Sequence, residues 1–220
     1  MTSGPAHLEW LRTRRSIRTF ADRVIERSIL ERVLEAAITA PSSTNRQPWR
    51  FAVVTASDRR RDVVRAVRER TEQMKAIIAR GHHAEDFASY GDFFFEPLET
   101  AQVIVVPQYR AYPDALAHLI ESGGGDPRAF HTAGSMQAEL CSTSAAVMTL
   151  LLQAHAEGVG ACWMAGPMVA KDEVSALLAI EPPWQMLGAI ALGYPSAPPQ
   201  RAPARKPIEK VVAWFDEEDR

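Results

Sequence analysis

Cysteine, lysine and asparagine are scarce in this sequence, and the scarcity of cysteine limits the possible protein classes. The 220 residues include two cysteines, Cys141 and Cys162, four lysines, and Asn45 as the single asparagine. The cysteines have no CxxC spacing and lie in apolar stretches, which excludes a disulfide framework and favours reduced thiols in the core. Because arginine supplies most of the positive charge, an arginine by itself indicates no function.

Long hydrophobic runs and an excess of one charge are also missing. No 18 consecutive residues are apolar, and the N-terminal residues have no basic segment followed by an apolar run. We therefore expect neither a membrane span nor an export signal. Lysine and arginine number 25 against 27 acidic residues, so no net field attracts nucleic acid or an anionic membrane. We expect a cytoplasmic protein that binds neither.

The motifs of several enzyme classes are absent as well. The sequence has no HExxH, GxSxG or P-loop motif, and its six histidines show no metal-ligand spacing to the cysteines. Gly158-Val159-Gly160 begins like a dinucleotide-binding fingerprint, but Trp163 occupies the position of the last glycine. We expect no metal site and no protein nucleophile.

The composition is that of a globular protein. Hydrophobic residues make up 46% and charged residues 24% of the chain, which is enough for a core and for solubility. The length predicts a single domain over residues 1–220, with the proline-rich residues 195–220 as an extended C-terminal arm.

Apolar periodicity predicts helices over 28–40, 57–80, 131–157 and 171–178, and strands over 51–55, 103–106, 160–164 and 186–192. Ser28 and Glu31 have capping-box spacing, and residues 111–130 are predicted to be a mobile loop.

A first candidate site is the sequence Arg14-Arg15-Ser16-Ile17-Arg18. Three guanidinium groups and a hydroxyl within five residues suit a phosphate monoester, because planar guanidinium groups bind its oxygens in pairs. A solvated basic surface is the alternative interpretation.

A second candidate site is the loop Pro41–Trp49, which contains Ser42, Ser43, Thr44, Asn45 and Gln47. Its short amide and hydroxyl side chains suit the alternating donors and acceptors of a planar heterocycle. A simple capped turn is the alternative.

The two candidate sites together resemble the opening signature of the nitroreductase family. The matching sequences are RRSIRTF from Arg14 and APSSTNRQPWRF from Ala40. The resemblance continues in GVGACWMAGP from Gly158, in LGYP from Leu192, and in Arg205-Lys206-Pro207. It covers both ends of the chain and is weakest over residues 82–130.

This resemblance implies an α+β fold with a central mixed sheet flanked by helices, in an intertwined homodimer that binds FMN at its interface. It implies that Arg14 and Arg205 hold the FMN phosphate with Arg15 and Ser16, and that Arg18 faces N1 and O2 of the flavin. It also implies that the partner subunit contacts the isoalloxazine ring through Pro41, Ser42, Ser43 and Asn45. The segment Met164, Ala165 and Gly166 would pass N5 of the flavin.

The activity implied is hydride transfer from NADH or NADPH, through flavin N5, to a nitroaromatic, quinone or similar electrophile. The scheme assigns no catalytic acid or base to the protein. Two departures from the family pattern are Ala165, where some members have an acidic residue, and Phe93–Glu96, where some have polar or basic residues. A flavin-fragmenting or dehalogenating relative and a non-catalytic flavin-binding sensor are the alternatives.

Overall fold

The computed structural model describes residues 3–82, 91–198 and 204–215. Parts of the predicted arm, residues 199–203 and 216–220, lie outside the described residues. The helices in chain order are α1 Gly4–Thr13, α2 Arg27–Ile38, α3 Ser57–Ile78, α4 Glu96–Thr100, α5 Ala115–Ser122, α6 Ala138–Ala156 and α7 Lys171–Leu177. The strands are β1 Trp49–Val54, β2 Val103–Arg110, β3 Gly160–Met164, β4 Trp184–Met186 and β5 Ala189–Gly193.

The strands form one sheet in the order β1-β2-β5-β3, and β4 pairs with the second half of β2. The strand pairs are antiparallel, and a parallel bridge between Ser16 and Ala161 adds a further chain segment beside β3. This arrangement, with helices packed against the sheet, confirms the predicted α+β fold.

The sheet is buried on both faces, which explains the continuous apolar run of β2. Ile104 and Val106 belong to one hydrophobic cluster, together with residues of α3, α4 and α7. Val103 and Val105 belong to a second cluster, with residues of α2 and α6. Since successive side chains of a strand point to opposite faces, β2 contributes to both clusters.

The strand predicted over 103–106 is longer than expected, because β2 continues through Pro107 to Arg110. Pro107 stands where β2 passes from its pairing with β5 to its pairing with β4. Its carbonyl accepts a 2.8 Å hydrogen bond from the backbone N–H of Leu187, in the turn between those strands. The missing N–H of proline thus falls at a break in the ladder, where it costs no strand-to-strand bond.

Two predicted helices and one predicted loop need correction. Helix α2 begins at Arg27 without a side-chain cap, so Ser28 lies inside the helix and forms no capping box. Helix α6 begins at Ala138 and not at residue 131, because Gln137 has a left-handed backbone with φ of 53°. The predicted loop over 111–130 contains α5, whose N-cap Asp114 accepts from the backbone N–H groups of Leu116 and Ala117.

The two cysteines differ in their surroundings. Cys162 in β3 is buried as predicted, and burial raises the pKa of its thiol. Cys141 is exposed on α6, so the prediction of a core thiol is wrong there. Neither forms a disulfide. No helix among the described residues has the length and apolar character needed to cross a membrane.

Candidate functional site

The arginine-rich segment follows α1 as extended chain. Helix α1 ends at Thr13, and Arg14 has φ of −59° and ψ of 134°. Two residues later, Ser16 forms a parallel bridge with Ala161, and the backbone N–H of Ile17 donates to the carbonyl of Ala161 at 3.0 Å. In extended chain alternate side chains share a face. Ser16 and Arg18 therefore lie on the side opposite Ile17, whose side chain packs on Gly160.

The Arg15 side chain is held by hydrogen bonds to the backbone of its own segment. Its Nη1 donates to the backbone carbonyls of Arg12 and Arg14 at 2.6 and 2.8 Å, and its Nε is buried with no hydrogen-bond partner in the described part of the chain. These bonds hold the guanidinium against the end of α1. The guanidinium groups of Arg14 and Arg18, in contrast, form no hydrogen bond or ion pair within residues 3–82, 91–198 and 204–215, so both are available to a ligand.

A cleft of about 210 Å³ lies beside this segment, between the end of α1 and the end of α6. Its polar lining includes Thr13, Arg14, Arg15 and His155, and its apolar lining includes Leu151 and Val159. Ser16 and Arg18 do not line it. This volume is below the range of roughly 300–1,000 Å³ that is typical of small-molecule pockets, so the cleft suits a small anionic group.

The loop of residues 41–48 has an unusual backbone. Thr44, Asn45 and Gln47 all have positive φ, at 50°, 54° and 48°, a conformation that costs free energy in residues other than glycine. The Oγ of Ser42 accepts from the backbone N–H of Gln47 at 3.0 Å, which stabilises the turn. The side chains of Pro41 and Asn45 are exposed to solvent.

The loop is fixed to the first turns of α6. The backbone N–H of Ser43 donates to Ser142 Oγ at 3.3 Å, and Arg46 Nη1 donates to Glu139 Oε1 at 3.1 Å. The cleft, however, contacts α6 at His155. From residue 142 to 155 an α-helix rises about 20 Å. One copy of the chain therefore separates the two clusters that the sequence analysis placed in one site.

The end of β3 forms a third part of the site. Met164 is buried, Ala165 is exposed, and Gly166 packs so closely on Phe94 that a Cβ there would lie 2.3 Å from the ring. Phe95 is also buried in the core, whereas Phe93 is 48% exposed. The Phe93–Glu96 segment thus supports the backbone at Gly166 through packing.

The predicted phosphate ligand Arg205 lies in the exposed segment that precedes the short 3₁₀ helix Ile208–Lys210. It is not among the residues that line the cleft. Every described residue of 204–215 is exposed, including Trp214 at 68% and Phe215 at 93%. Large exposed aromatic side chains of this kind are typical of interaction surfaces.

The arrangement fits a molecule with a phosphate at one end and a planar ring at the other. Ser16 lies beside Ala161 in β3, and Met164 ends that strand, so the two ends of the site are about 10 Å apart along the strand. Unpartnered guanidinium groups suit the phosphate, and the exposed backbone after β3 suits a ring edge. No local sequence pattern marks His155, and its place in the cleft is evident only from the structure.

Comparison with known proteins places the chain in a family. The sequence profile of the Nitroreductase family matches residues 11–194. An NADH dehydrogenase from Thermus thermophilus is 30% identical over 218 residues, which cover 91% of this chain and 92% of that protein.

Two solved structures extend the comparison. A BluB-like flavoprotein from Clostridium difficile has a TM-score of 0.84 at 21% identity, with 96% of this chain and 99% of that chain covered. An FMN complex of a protein assigned as a nitroreductase, from Desulfovibrio desulfuricans, has a TM-score of 0.65 at 25% identity, covering 98% and 99%.

The chain therefore belongs to the Nitroreductase family. It is a nitroreductase-type flavoprotein oxidoreductase, as the resemblance of its motifs predicted.

Proposed function

We propose that this protein is an FMN-dependent oxidoreductase that passes hydride from NADH or NADPH to a nitroaromatic, quinone or similar electrophilic acceptor. We propose further that it acts as a cytoplasmic homodimer of single-domain subunits. The observation that supports the cofactor assignment is the occurrence of Arg14, Ser16 and Arg18 in one extended segment, with both guanidinium groups unpartnered in the described residues.

In this proposal Arg14 holds the FMN phosphate, and Ser16 Oγ donates to it. Arg205 of the C-terminal arm completes the phosphate contacts. The role proposed for Arg15 is more limited than the direct phosphate contact that the resemblance implied. Its guanidinium is bonded to the carbonyls of Arg12 and Arg14, so its role is to fix the backbone and to add positive charge.

The ring of FMN would lie along β3, with Met164, Ala165 and Gly166 at the N5 edge. Ala165 is exposed, so its backbone is free to contact the flavin even without the acidic side chain found in some relatives. When bound, FMN supplies hydride acceptance and donation at N5, and the protein binds it, orients it and limits access.

The separation of the two clusters supports the proposed homodimer. The loop with Pro41, Ser42, Ser43 and Asn45 contacts α6 about 20 Å from the cleft, so the loop of one subunit would serve the flavin bound mainly by the other. The exposed aromatic residues of 204–215 support the same assembly, since an arm that leaves its own subunit would bury them on the partner.

The proposal is tested by comparing FMN with riboflavin, which lacks the phosphate. In a fluorescence titration, Arg14→Ala should weaken FMN binding about ten- to a hundred-fold, because one charge-assisted bond contributes about 1.5–3 kcal/mol. Riboflavin binding should change little. Arg12→Ala is the matched control, since Arg12 is paired with Glu9 on the exposed face of α1. A wild-type protein that binds no FMN would refute the proposal.

A further inference from the structure

His155 is the one titratable group of the cleft that the proposed function does not use. It lies in the last turn of α6, and its side chain lines the cleft beside Arg14 and Arg15. Its Nε2 lies 2.8 Å from Thr13 Oγ, and its ring is 5.3 Å from the ring of Trp10, centre to centre. Contacts with α1 therefore hold the ring in place at the wall of the cleft.

The hydrogen bonds of Thr13 decide which nitrogen carries the proton. A threonine hydroxyl has one hydrogen to donate, and that of Thr13 goes to the backbone carbonyl of Trp10 at 2.7 Å. Nε2 of His155 must then be the donor in its bond to Thr13 Oγ. In the neutral ring Nδ1 is left as an acceptor with a lone pair, which repels an anion.

The charged groups around His155 oppose its protonation in the empty cleft. Burial, and then the positive charges of Arg14 and Arg15, lower the pKa of His155 below its ordinary value of 6.5. On its own helix, Glu157 is committed to Arg32 through two hydrogen bonds of 2.8 Å. On α1, Arg12 is paired with Glu9, and His7 stacks on the other ring neighbour, Trp10.

A phosphate dianion at Arg14 would reverse this balance. It would offset the two arginine charges, and the carbonyl end of α6 also favours a cation. A protonated ring has N–H donors on both nitrogens. Nε2 would keep its bond to Thr13 while Nδ1 donated to the phosphate.

We propose that His155 is a ligand of the FMN phosphate that takes up a proton when the cofactor binds. The inference rests on the proposed function, because it assumes that FMN places its phosphate at Arg14. It adds a ligand from α6 to those in the arginine-rich segment, and it makes cofactor retention depend on pH.

The sign of the pH dependence follows from linkage. Because binding raises the pKa of His155, this contact strengthens FMN binding at low pH and is lost as the pH rises through the value for the bound state. The phosphate has its own second ionisation near about 6, and that ionisation affects the wild-type protein and a variant alike. The ratio of the two dissociation constants therefore isolates the histidine.

The experiment compares wild-type protein with His155→Gln, whose amide can still donate to Thr13. FMN dissociation constants are measured from pH 6 to 9. We expect the variant to bind about tenfold more weakly at pH 6, as for loss of one charge-assisted bond, with the ratio approaching one at pH 9. His118→Gln, which removes an exposed histidine on α5, should give a ratio of one throughout. Riboflavin should show no His155 effect at any pH.

Proton uptake supplies a second readout. Calorimetry of FMN binding in buffers of different ionisation enthalpy should show uptake by the wild-type protein that decreases in His155→Gln. A pH-independent ratio, or equal proton uptake by both proteins, would overturn the assignment while leaving FMN binding intact. If the wild-type protein bound no FMN, the proposed function would fail instead. The His155 ring would then be followed by NMR with inorganic phosphate, and an unchanged ring pKa would refute the phosphate contact itself.

Discussion

Arg46 donates a 3.1 Å hydrogen bond to Glu139, and this ion pair fixes the loop of residues 41–48 to the first turn of α6. The Glu139 side chain is only 10% exposed and that of Arg46 is 30% exposed. Both residues of the pair are thus largely withdrawn from water. The left-handed residues Thr44 and Asn45 lie immediately before Arg46, so the pair restrains a loop whose backbone is unfavourable by itself.

Removing Arg46 should therefore cost more than removing an arginine of a surface pair. Arg46→Ala leaves the Glu139 carboxylate buried without its partner, and we expect a loss of about 2–4 kcal/mol in the free energy of unfolding measured in urea. Arg61→Ala is the control. Arg61 pairs with Asp58 on the exposed face of α3, and the side chains are 70% and 81% exposed, so the loss should stay below about 1 kcal/mol. Equal losses for the two variants would show that the Arg46 pair is not a structural restraint.

The pair between Arg32 and Glu157 gives a pH-dependent prediction. The hydrogen bonds from Arg32 lower the pKa of Glu157 from 4.5 to about 2. A lowered folded-state pKa contributes stability above the ordinary pKa, and that contribution is lost as the pH falls through the folded-state value. Arg32→Ala should thus destabilise the protein at pH 7, and the difference from wild type should shrink from pH 5 towards pH 2.

Urea unfolding at pH 7 and at pH 3 measures this effect directly. Arg27→Ala is a suitable control, since Arg27 pairs with Glu31 within α2 and both side chains are well exposed, at 78% and 55%. The idea fails if Arg32→Ala destabilises the protein equally at both pH values.

The sequence predicted the sheet and its helices because their signals are local. The apolar run of β2 and the amphipathic stripe of α2 follow from the burial of both sheet faces. Helix α5 was not predicted, because the Asp114 side chain that caps its start is also held by residues far along the chain. The Asp114 carboxylate also accepts from the hydroxyl of Thr132 and from the backbone N–H of Gly134. Such bonds across 18 and 20 residues have no pattern in the sequence.

The candidate site was less predictable than the fold. Its residue types were evident in the sequence, but the direction of each side chain depends on whether the chain after Thr13 is helical or extended. Helical spacing would place Arg14 beside Arg18, whereas in the observed extended chain Arg14 and Arg15 line the cleft and Arg18 does not. His155 joins this region only through the packing of α1 against the end of α6.

Arg18 has a different predicted effect from Arg14. Hydride addition at N5 leaves negative charge near N1 and O2 of the flavin, and a guanidinium there interacts more strongly with the reduced form. Arg18→Ala should therefore lower the midpoint potential of bound FMN and slow its reduction by NADH or NADPH, with a smaller loss of FMN affinity than Arg14→Ala. An unchanged potential with a collapsed affinity would identify Arg18 as a phosphate ligand instead.

The C-terminal arm should be required for the dimer. Deletion of residues 199–220 keeps the backbone bond from Ser196 N–H to the Thr19 carbonyl at 3.2 Å, so the fold of the remaining chain should be retained by circular dichroism. Sedimentation should nevertheless show a monomer with weakened FMN binding, because Trp214, Phe215 and Arg205 are lost. Trp214→Ala should weaken the dimer without removing Arg205. A truncated protein that remained a flavin-loaded dimer would show that the arm is dispensable.

The central claim is that this chain is an FMN-dependent NAD(P)H oxidoreductase, and anaerobic mixing of the FMN-loaded protein with NADH or NADPH tests it most directly. We expect the visible absorption of the oxidised flavin to be lost with at least one nicotinamide, and addition of a nitroaromatic or quinone to restore it. Arg18→Ala should lose the absorption more slowly in the same experiment. An oxidised spectrum that persists with both NADH and NADPH would contradict the account and identify the protein as a flavin-binding module without turnover.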